Sequence, residues 1–279
     1  MSIGSHPAMP VIMGILNITP DSFSDGGEFF DPSRAVAHAR RMVTEGAAII
    51  DIGGESTRPG AQPVDAADQL ARVLPVIESL KSELREACAL SIDARVADVA
   101  DRAVAAGATM INDISGGTDP DMLRVAASRD VPIVLMHMRG TPATMQNDPA
   151  YTDVVGEVCE FLAERAERAM RAGVARGNII VDPGIGFGKS KRHNLEILHQ
   201  LQRFKALGFR LMLGTSRKRF MGAICRETAF KDLVGATCAT TTLGTLAGVD
   251  IFRVHDVREN RQAMEVAWAV RYTAPEREA

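Results

Sequence analysis

The chain has 279 residues, 46% of them apolar, and a formal net charge of −3. That supplies a core for one or two domains, and a single β/α barrel alone takes about 250 residues. The mild acidity and the absence of any Lys/Arg-rich run argue against nucleic acid or an anionic membrane surface as partner, and no apolar run reaches the roughly 18 residues of a membrane span.

The first nine residues, Met1 to Met9, lack the basic and apolar regions of a leader peptide. Cys88, Cys159, Cys225 and Cys238 are scattered and form no CxxC pair. That is the pattern of reduced thiols in a cytoplasmic protein.

In chain order, short apolar runs alternate with amphipathic stretches. The runs are Val11–Leu16, Ala48–Ile52, Ala89–Ile92, Thr109–Ile111, Val131–Met136, Asn178–Val181, Leu211–Leu213 and Val249–Val254. Continuous apolar strands separated by helices imply a parallel sheet covered on both sides. Asp31-Pro32 caps a predicted helix Ser33–Glu45, which Gly46 ends. Leu70, Leu74, Ile77, Leu80 and Leu84 form one helical stripe, in which Pro75 predicts a kink. Further helices are expected over Val96–Ala106, Val154–Ala172 (the longest), Asn194–Lys205, Asp232–Leu246 and Arg258–Arg271. Eight strand–helix units predict a closed (β/α)8 TIM barrel, a single domain over 1–279 with its core at about 11–272. An open doubly wound sheet fits less well, because no GxGxxG follows the first strand.

In such barrels the reacting groups sit where the strands end. Every run here leads into a polar group: Asn17; Asp51 with Glu55; Asp93; Asn112 with Asp113; His137; Asp182; Ser216 with Lys218; Arg253 with His255. Helix capping accounts for a single Asp or Asn, but not for eight together. The loops Asn17–Gly27 and Gly53–Gly60 are polar and glycine-rich, as lids are. Gly184-Ile-Gly186-Phe187-Gly188-Lys189-Ser190 is not a phosphate loop, since Pro183 stands where the first glycine belongs. Its glycines are read as room for a flat ligand beside Asp182. The acids and amides of the middle strands suit a ring rich in N–H donors. Lys218, Arg253 and His255, with Arg58 opposite, suit a phosphate or pyrophosphate. His137 reads equally well as a core histidine.

Seven segments together resemble the dihydropteroate synthase family: Asn17-Ile-Thr-Pro-Asp-Ser-Phe-Ser-Asp-Gly-Gly, Gly53-Gly-Glu-Ser-Thr-Arg-Pro-Gly, Ser91-Ile-Asp93, Ile111-Asn112-Asp113, Asp182-Pro-Gly-Ile-Gly-Phe187-Gly, Ser216-Arg-Lys218 and Arg253-Val-His255. The resemblance spans about Val11 to Arg271. It implies condensation of 6-hydroxymethyl-7,8-dihydropterin pyrophosphate with p-aminobenzoate, giving dihydropteroate and pyrophosphate, in a cytoplasmic homodimer that sulfonamides inhibit. It places Asp51, Asp93, Asn112, Asp182 and Lys218 around the pterin. Asn17, Arg58, Arg253 and His255 fall at the pyrophosphate, with Asn17 near a bound Mg²⁺. Thr57, Phe187 and Ser216 border the p-aminobenzoate. The catalytic set it implies is Asp93, Asp182, Lys218, Arg253 and His255. Two positions depart from the family pattern: Ala94, where Thr is usual, and Arg219, where many members carry Ser. Two rivals stand beside this reading: a pterin-binding barrel that transfers a methyl group to a corrinoid, and a non-catalytic pterin-binding paralogue.

Overall fold

The computed structural model describes residues 8–18, 31–57, 60–84, 87–227 and 229–273. Strands β1 (Val11–Asn17), β2 (Ile49–Gly53), β3 (Ala89–Asp93), β4 (Met110–Asp113), β5 (Ile133–Met136), β6 (Ile179–Asp182), β7 (Arg210–Leu213) and β8 (Ile251–Val254) pair in parallel in chain order. β8 returns to β1, with Val11 opposite Ile251 and Met13 opposite Arg253, so the sheet closes into the expected (β/α)8 TIM barrel.

Alternation along each strand sorts the side chains. One face contributes Ile12, Leu16, Ile50, Ile52, Ile92, Ile111, Ile133, Leu135, Val181, Leu213 and Phe252 to the shell beneath the helices. The other turns inward. Met13, Ile49, Met110, Val134, Ile180, Met212 and Ile251 form a buried plug inside the barrel. Two residues further along the same strands stand Ile15, Asp51, Asn112, Met136, Asp182, Gly214 and Arg253. The period of two therefore places an apolar floor directly below a polar mouth.

The helices are α1 (Pro32–Thr44), α2 (Ala66–Leu84), α3 (Ala97–Ala106), α4 (Met122–Arg129), α5 (Val154–Arg171), α6 (Lys191–His199), α7 (Leu201–Lys205), α8 (Arg219–Cys225), α9 (Val234–Ala247) and α10 (Val257–Tyr272). Asp31 caps α1, its carboxylate accepting from the Ser33 N–H at 2.8 Å. Three expectations need correction. Helix α2, not α5, is the longest, at 19 residues against 18. Pro75 falls inside this helix, which continues on both sides of it as one element. Pro75 and Ala71 are both exposed, so the carbonyl that loses its helical partner faces water. The helix expected over 194–205 is divided at Gln200 into α6 and α7. The short α4 and α8 went unrecognised, being too brief to show a full amphipathic period.

Helix α9 approaches β8 through Gly244. A Cβ there would lie 2.6 Å from the ring of Phe252, which is 1% exposed, and 3.1 Å from Leu213 Cδ2. Gly244→Ala sets a helix-propensity gain of about 1 kcal/mol against an overpacking cost of about 1–3 kcal/mol. Packing wins because the ring has nowhere to retreat. Denaturant titration is expected to show a net loss of up to about 2 kcal/mol.

Candidate active site

The inward residues at the strand ends form one connected polar cluster. Arg253, entering from β8, lies between two carboxylates: its Nε donates to Asp51 Oδ2 at 2.6 Å and its Nη2 to Asp93 Oδ2 at 2.7 Å. Asn112 Nδ2 donates to the same Asp51 oxygen at 3.0 Å. Asp182, at the end of β6, accepts the Gly184 N–H on Oδ1 at 2.7 Å. The Lys218 ammonium stands 3.9 Å above the centre of the Phe187 ring. The cluster thus brings together Asp51, Asp93, Asn112 and Arg253, with Lys218 stacked on Phe187 and facing Asp182.

The acidic and basic parts do not lie apart, as the order of residues in the chain suggested. Closure of β8 onto β1 carries Arg253 to the acids of β2 and β3, and the barrel is narrow enough for the guanidinium to reach both. Burial then dominates the ionisation of the rest. It pushes Asp93 up to about 7, Arg253 pulling the other way and Asp51 adding to the rise. It pushes Asp182 up to about 6, against the Gly184 hydrogen bond and the cations Lys218, Lys189 and Arg253. Burial and the neighbouring Arg253 bring Lys218 down to about 8.

Ser216 and His255 meet. The Ser216 hydroxyl accepts the His255 backbone N–H at 3.1 Å and shares a hydrogen bond of 3.0 Å with the His255 Nδ1. Beside them, Arg217 adopts a left-handed backbone (φ 58°) and forms a forked ion pair with Asp256, at 2.6 and 3.1 Å. That pair was not anticipated. Asn17 ends β1 opposite Gly53, where a Cβ would lie 3.6 Å from Asn17 Oδ1 and 3.7 Å from Asp93 Oδ2. Thr57 is half-buried at the end of its described segment. Arg58 and most of the loop Asn17–Gly27 lie outside the described residues.

Other polar strand ends serve the fold. Glu55 takes both Arg95 donors at 2.8 and 2.9 Å and the Val64 N–H at 2.9 Å, bracing the loop after β2. Asp113 accepts from Ser115 and from the Gly117 N–H and so orders its own turn. His137 is buried edge-on to Phe161, with Nδ1 2.8 Å from Lys189 Nζ. Ala94 is buried against β4 and Arg219 is exposed at the start of α8.

Two of the three glycines after β6 have a different purpose from the one expected; Gly186, whose Cβ would lie 2.9 Å from Lys218 Cδ, makes room for that side chain at the mouth. A Cβ on Gly184 would strike the His137 carbonyl oxygen, and one on Gly188 would lie 2.6 Å from the Arg139 carbonyl. With φ of 68° and 60°, they let this loop lie directly on the segment after β5. Space in the mouth comes instead from inward-facing glycines at strand ends. A Cβ on Gly214 would lie 3.9 Å from both Asp182 Oδ2 and Arg253 Cβ. Gly53 stands likewise between Asn17 and Asp93.

Comparison with known proteins shows the family. The family model described as pterin binding enzyme matches residues 13–255. A dihydropteroate synthase of Synechocystis sp. is 48% identical over 260 residues, 93% of this chain and 89% of that one. The solved dihydropteroate synthase of Xanthomonas albilineans with 4-aminobenzoic acid superposes with a TM-score of 0.89 at 43% identity, covering 95% of this chain and 94% of the other. The Yersinia pestis dihydropteroate synthase with a sulfonamide drug superposes with a TM-score of 0.88 at 40% identity, covering 94% of each chain. A mouth whose acids, amide and cations converge as described, in a chain this similar from end to end, belongs to the dihydropteroate synthase family of pterin-binding enzymes.

Proposed function

We propose that the barrel mouth binds a 6-hydroxymethyl-7,8-dihydropterin pyrophosphate and joins its methylene carbon to the amine of p-aminobenzoate, releasing pyrophosphate. One observation carries the assignment of the ring. Among the described residues, the buried oxygens Asp51 Oδ1, Ser91 Oγ and Asn112 Oδ1 have no hydrogen-bond partner. Buried acceptors are costly unless paired, and a layer so rich in acceptors suits a flat ring edged with N–H groups in the mouth above it.

Asp182 accepts from the 2-amino and N3–H edge of the ring. Asn112 and Asp93 hold the ring's other polar edge, with Asp51 behind them. Gly214 leaves the ring its space between Asp182 and Arg253. When the C–O bond to pyrophosphate breaks, the methylene becomes cationic and conjugated to the ring. The nearby carboxylates stabilise it, and Arg253, Lys218 and His255 receive the departing anion. Two of the five guanidinium donors of Arg253 are engaged by Asp51 and Asp93, which leaves others for the anion. Arg58 adds a second guanidinium. The amine then attacks the methylene carbon, and no covalent enzyme intermediate is involved. Thr57, Phe187 and Ser216 border the aryl amine, which is where a sulfonamide would compete.

Mg²⁺ suits this donor set. The ion is held by few protein oxygens and several phosphate or water oxygens, and the amide oxygen of Asn17 beside Gly53 is such a protein oxygen. When bound it neutralises the leaving pyrophosphate. The expected homodimer fits the outer face of α9 and α10, where Leu243, Leu246, Val266 and Val270 are 54%, 42%, 66% and 67% exposed. No helix among the described residues is long and apolar enough to cross a membrane, and the four cysteines are free thiols, in keeping with a cytoplasmic enzyme.

The activity is tested by following pyrophosphate and dihydropteroate together. Pyrophosphate release is expected to require the pterin pyrophosphate and Mg²⁺, and to equal dihydropteroate formed when p-aminobenzoate is present. Protein that binds the pterin yet forms no dihydropteroate would be the non-catalytic paralogue. For the dimer, Val266→Glu with Val270→Glu is expected to halve the mass seen by sedimentation; an unchanged mass places the interface elsewhere.

Asp182→Asn separates recognition from stability. The carboxyl titrates at about 6 in the fold against 3.8 unfolded. Its protonated form therefore favours the folded state below pH 4, and that contribution is lost as the pH rises through 6. The neutral amide escapes this loss. At pH 8 the empty variant is expected to be more stable than the parent, by on the order of 1–3 kcal/mol, with the difference fading towards pH 4. Pterin binding is expected to be lost at every pH. Calorimetric melts at pH 4, 6 and 8 check the first part; a stability difference that does not change with pH contradicts it.

A further inference from the structure

We propose that Lys189 is a positioning residue for ring recognition: its ammonium, set behind the loop Gly184–Gly188, keeps the Asp182 carboxylate charged and oriented and fixes Phe187, without touching the ring. The inference rests on the reading of Asp182 as the ring's acceptor.

Lys189 is only 3% exposed. Its Nζ donates to the Gly184 carbonyl at 2.9 Å and to the Phe187 carbonyl at 3.0 Å, and lies 2.8 Å from His137 Nδ1. These three partners use all three ammonium protons, with the His137 carbonyl a longer fourth contact at 3.4 Å. His137 faces it as a neutral acceptor, because burial and the charge of Lys189 itself push the imidazole down to about 2. Among the described residues no carboxylate comes within ion-pair distance of Lys189. A buried cation held only by dipoles is expensive, so a hydrophobic residue would serve the fold better if packing were all that mattered.

The attachments show what the cation does. Gly184 receives Lys189 on its carbonyl and gives its N–H to Asp182 Oδ1 at 2.7 Å. Phe187 receives Lys189 on its carbonyl while its ring lies under Lys218. One ammonium thus fixes both ends of the loop that carries two walls of the site. It also acts through space. Lys189 is among the charges that oppose the upward push of burial on Asp182, and Asp182 opposes the downward push of burial that brings Lys189 to about 7. Each proton position therefore depends on the other. The other charges acting on the pair are Lys218 after β7 and Arg253 on β8, while Arg139 after β5 acts on His137.

The test uses the full chain and 6-hydroxymethylpterin as probe, titrated calorimetrically from pH 5 to 9. Parent, Lys189→Met, Lys189→Gln and Asp182→Asn are compared. In the parent, affinity falls on the acid side as Asp182 takes up its proton. Loss of the Lys189 charge is expected to move that acid limb up by roughly one pH unit, so that affinity drops about fivefold at pH 6 and little at pH 8.5. Lys189→Gln keeps polar donors at the position and carries the test should Lys189→Met fail to fold. Affinity lowered equally at every pH, or an acid limb that does not move in either variant, overturns the proposal and makes Lys189 a packing residue. Normal pterin binding by Asp182→Asn would instead remove the reading on which the proposal stands.

Discussion

The guanidinium of Arg253 lies between the carboxylates of Asp51 and Asp93, and the mouth of the barrel depends on it. Three acids from β2, β3 and β6 are brought within one small, poorly hydrated space, where like charges repel strongly and burial penalises each of them. Without a cation at their centre they would protonate or expand the barrel rim. Arg253 reaches that centre only because β8 pairs with β1. Closure of the barrel and assembly of the site are therefore one event, and a chain that folded as far as β7 would have gathered Asp51 and Asp93 without the cation that pairs them.

The floor explains why the mouth can be so polar. Met13, Ile49, Met110, Val134, Ile180, Met212 and Ile251 fill the barrel below, so the hydrophobic work of the fold is complete one layer down. The polar layer adds little stability and in part subtracts from it. Asp93 and Asp182 sit well above the ordinary carboxylate range, the mark of groups arranged for something other than the fold itself.

Much of this was legible in the residues, and what was missed follows a rule. Strand runs and their polar terminators could be read because both depend on neighbours in the chain. Asn17, Asp93 and Asp182 turned out to be the last residues of their strands, a matter of one position. Contacts that need the barrel closed could not be read: Arg253 with Asp51, 202 positions apart, Arg217 with Asp256, and Lys189 with His137. Nor could the use of the glycines after β6, since the carbonyls they approach belong to the loop after β5. Gly214 was passed over because a residue without a side chain gives no chemical hint that its emptiness is what the site needs. Helix α4 was lost for want of length.

The hydroxyl of Ser216, shared between the backbone and ring of His255, has a consequence for how such a site changes over generations. It ties the loop after β7 to the loop after β8 through one oxygen. Under the function proposed above, a substitution that reshapes the wall beside the aryl amine at Ser216 also removes one hydrogen bond from the imidazole that would receive the leaving anion. Selection against a molecule that mimics the amine therefore meets a penalty on turnover at this position. Tolerated escape routes lie where no such bond crosses between loops. Drift within the family is accordingly expected to be slow at Ser216 and faster at exposed neighbours such as Arg219, where a change of side chain leaves the two loops joined.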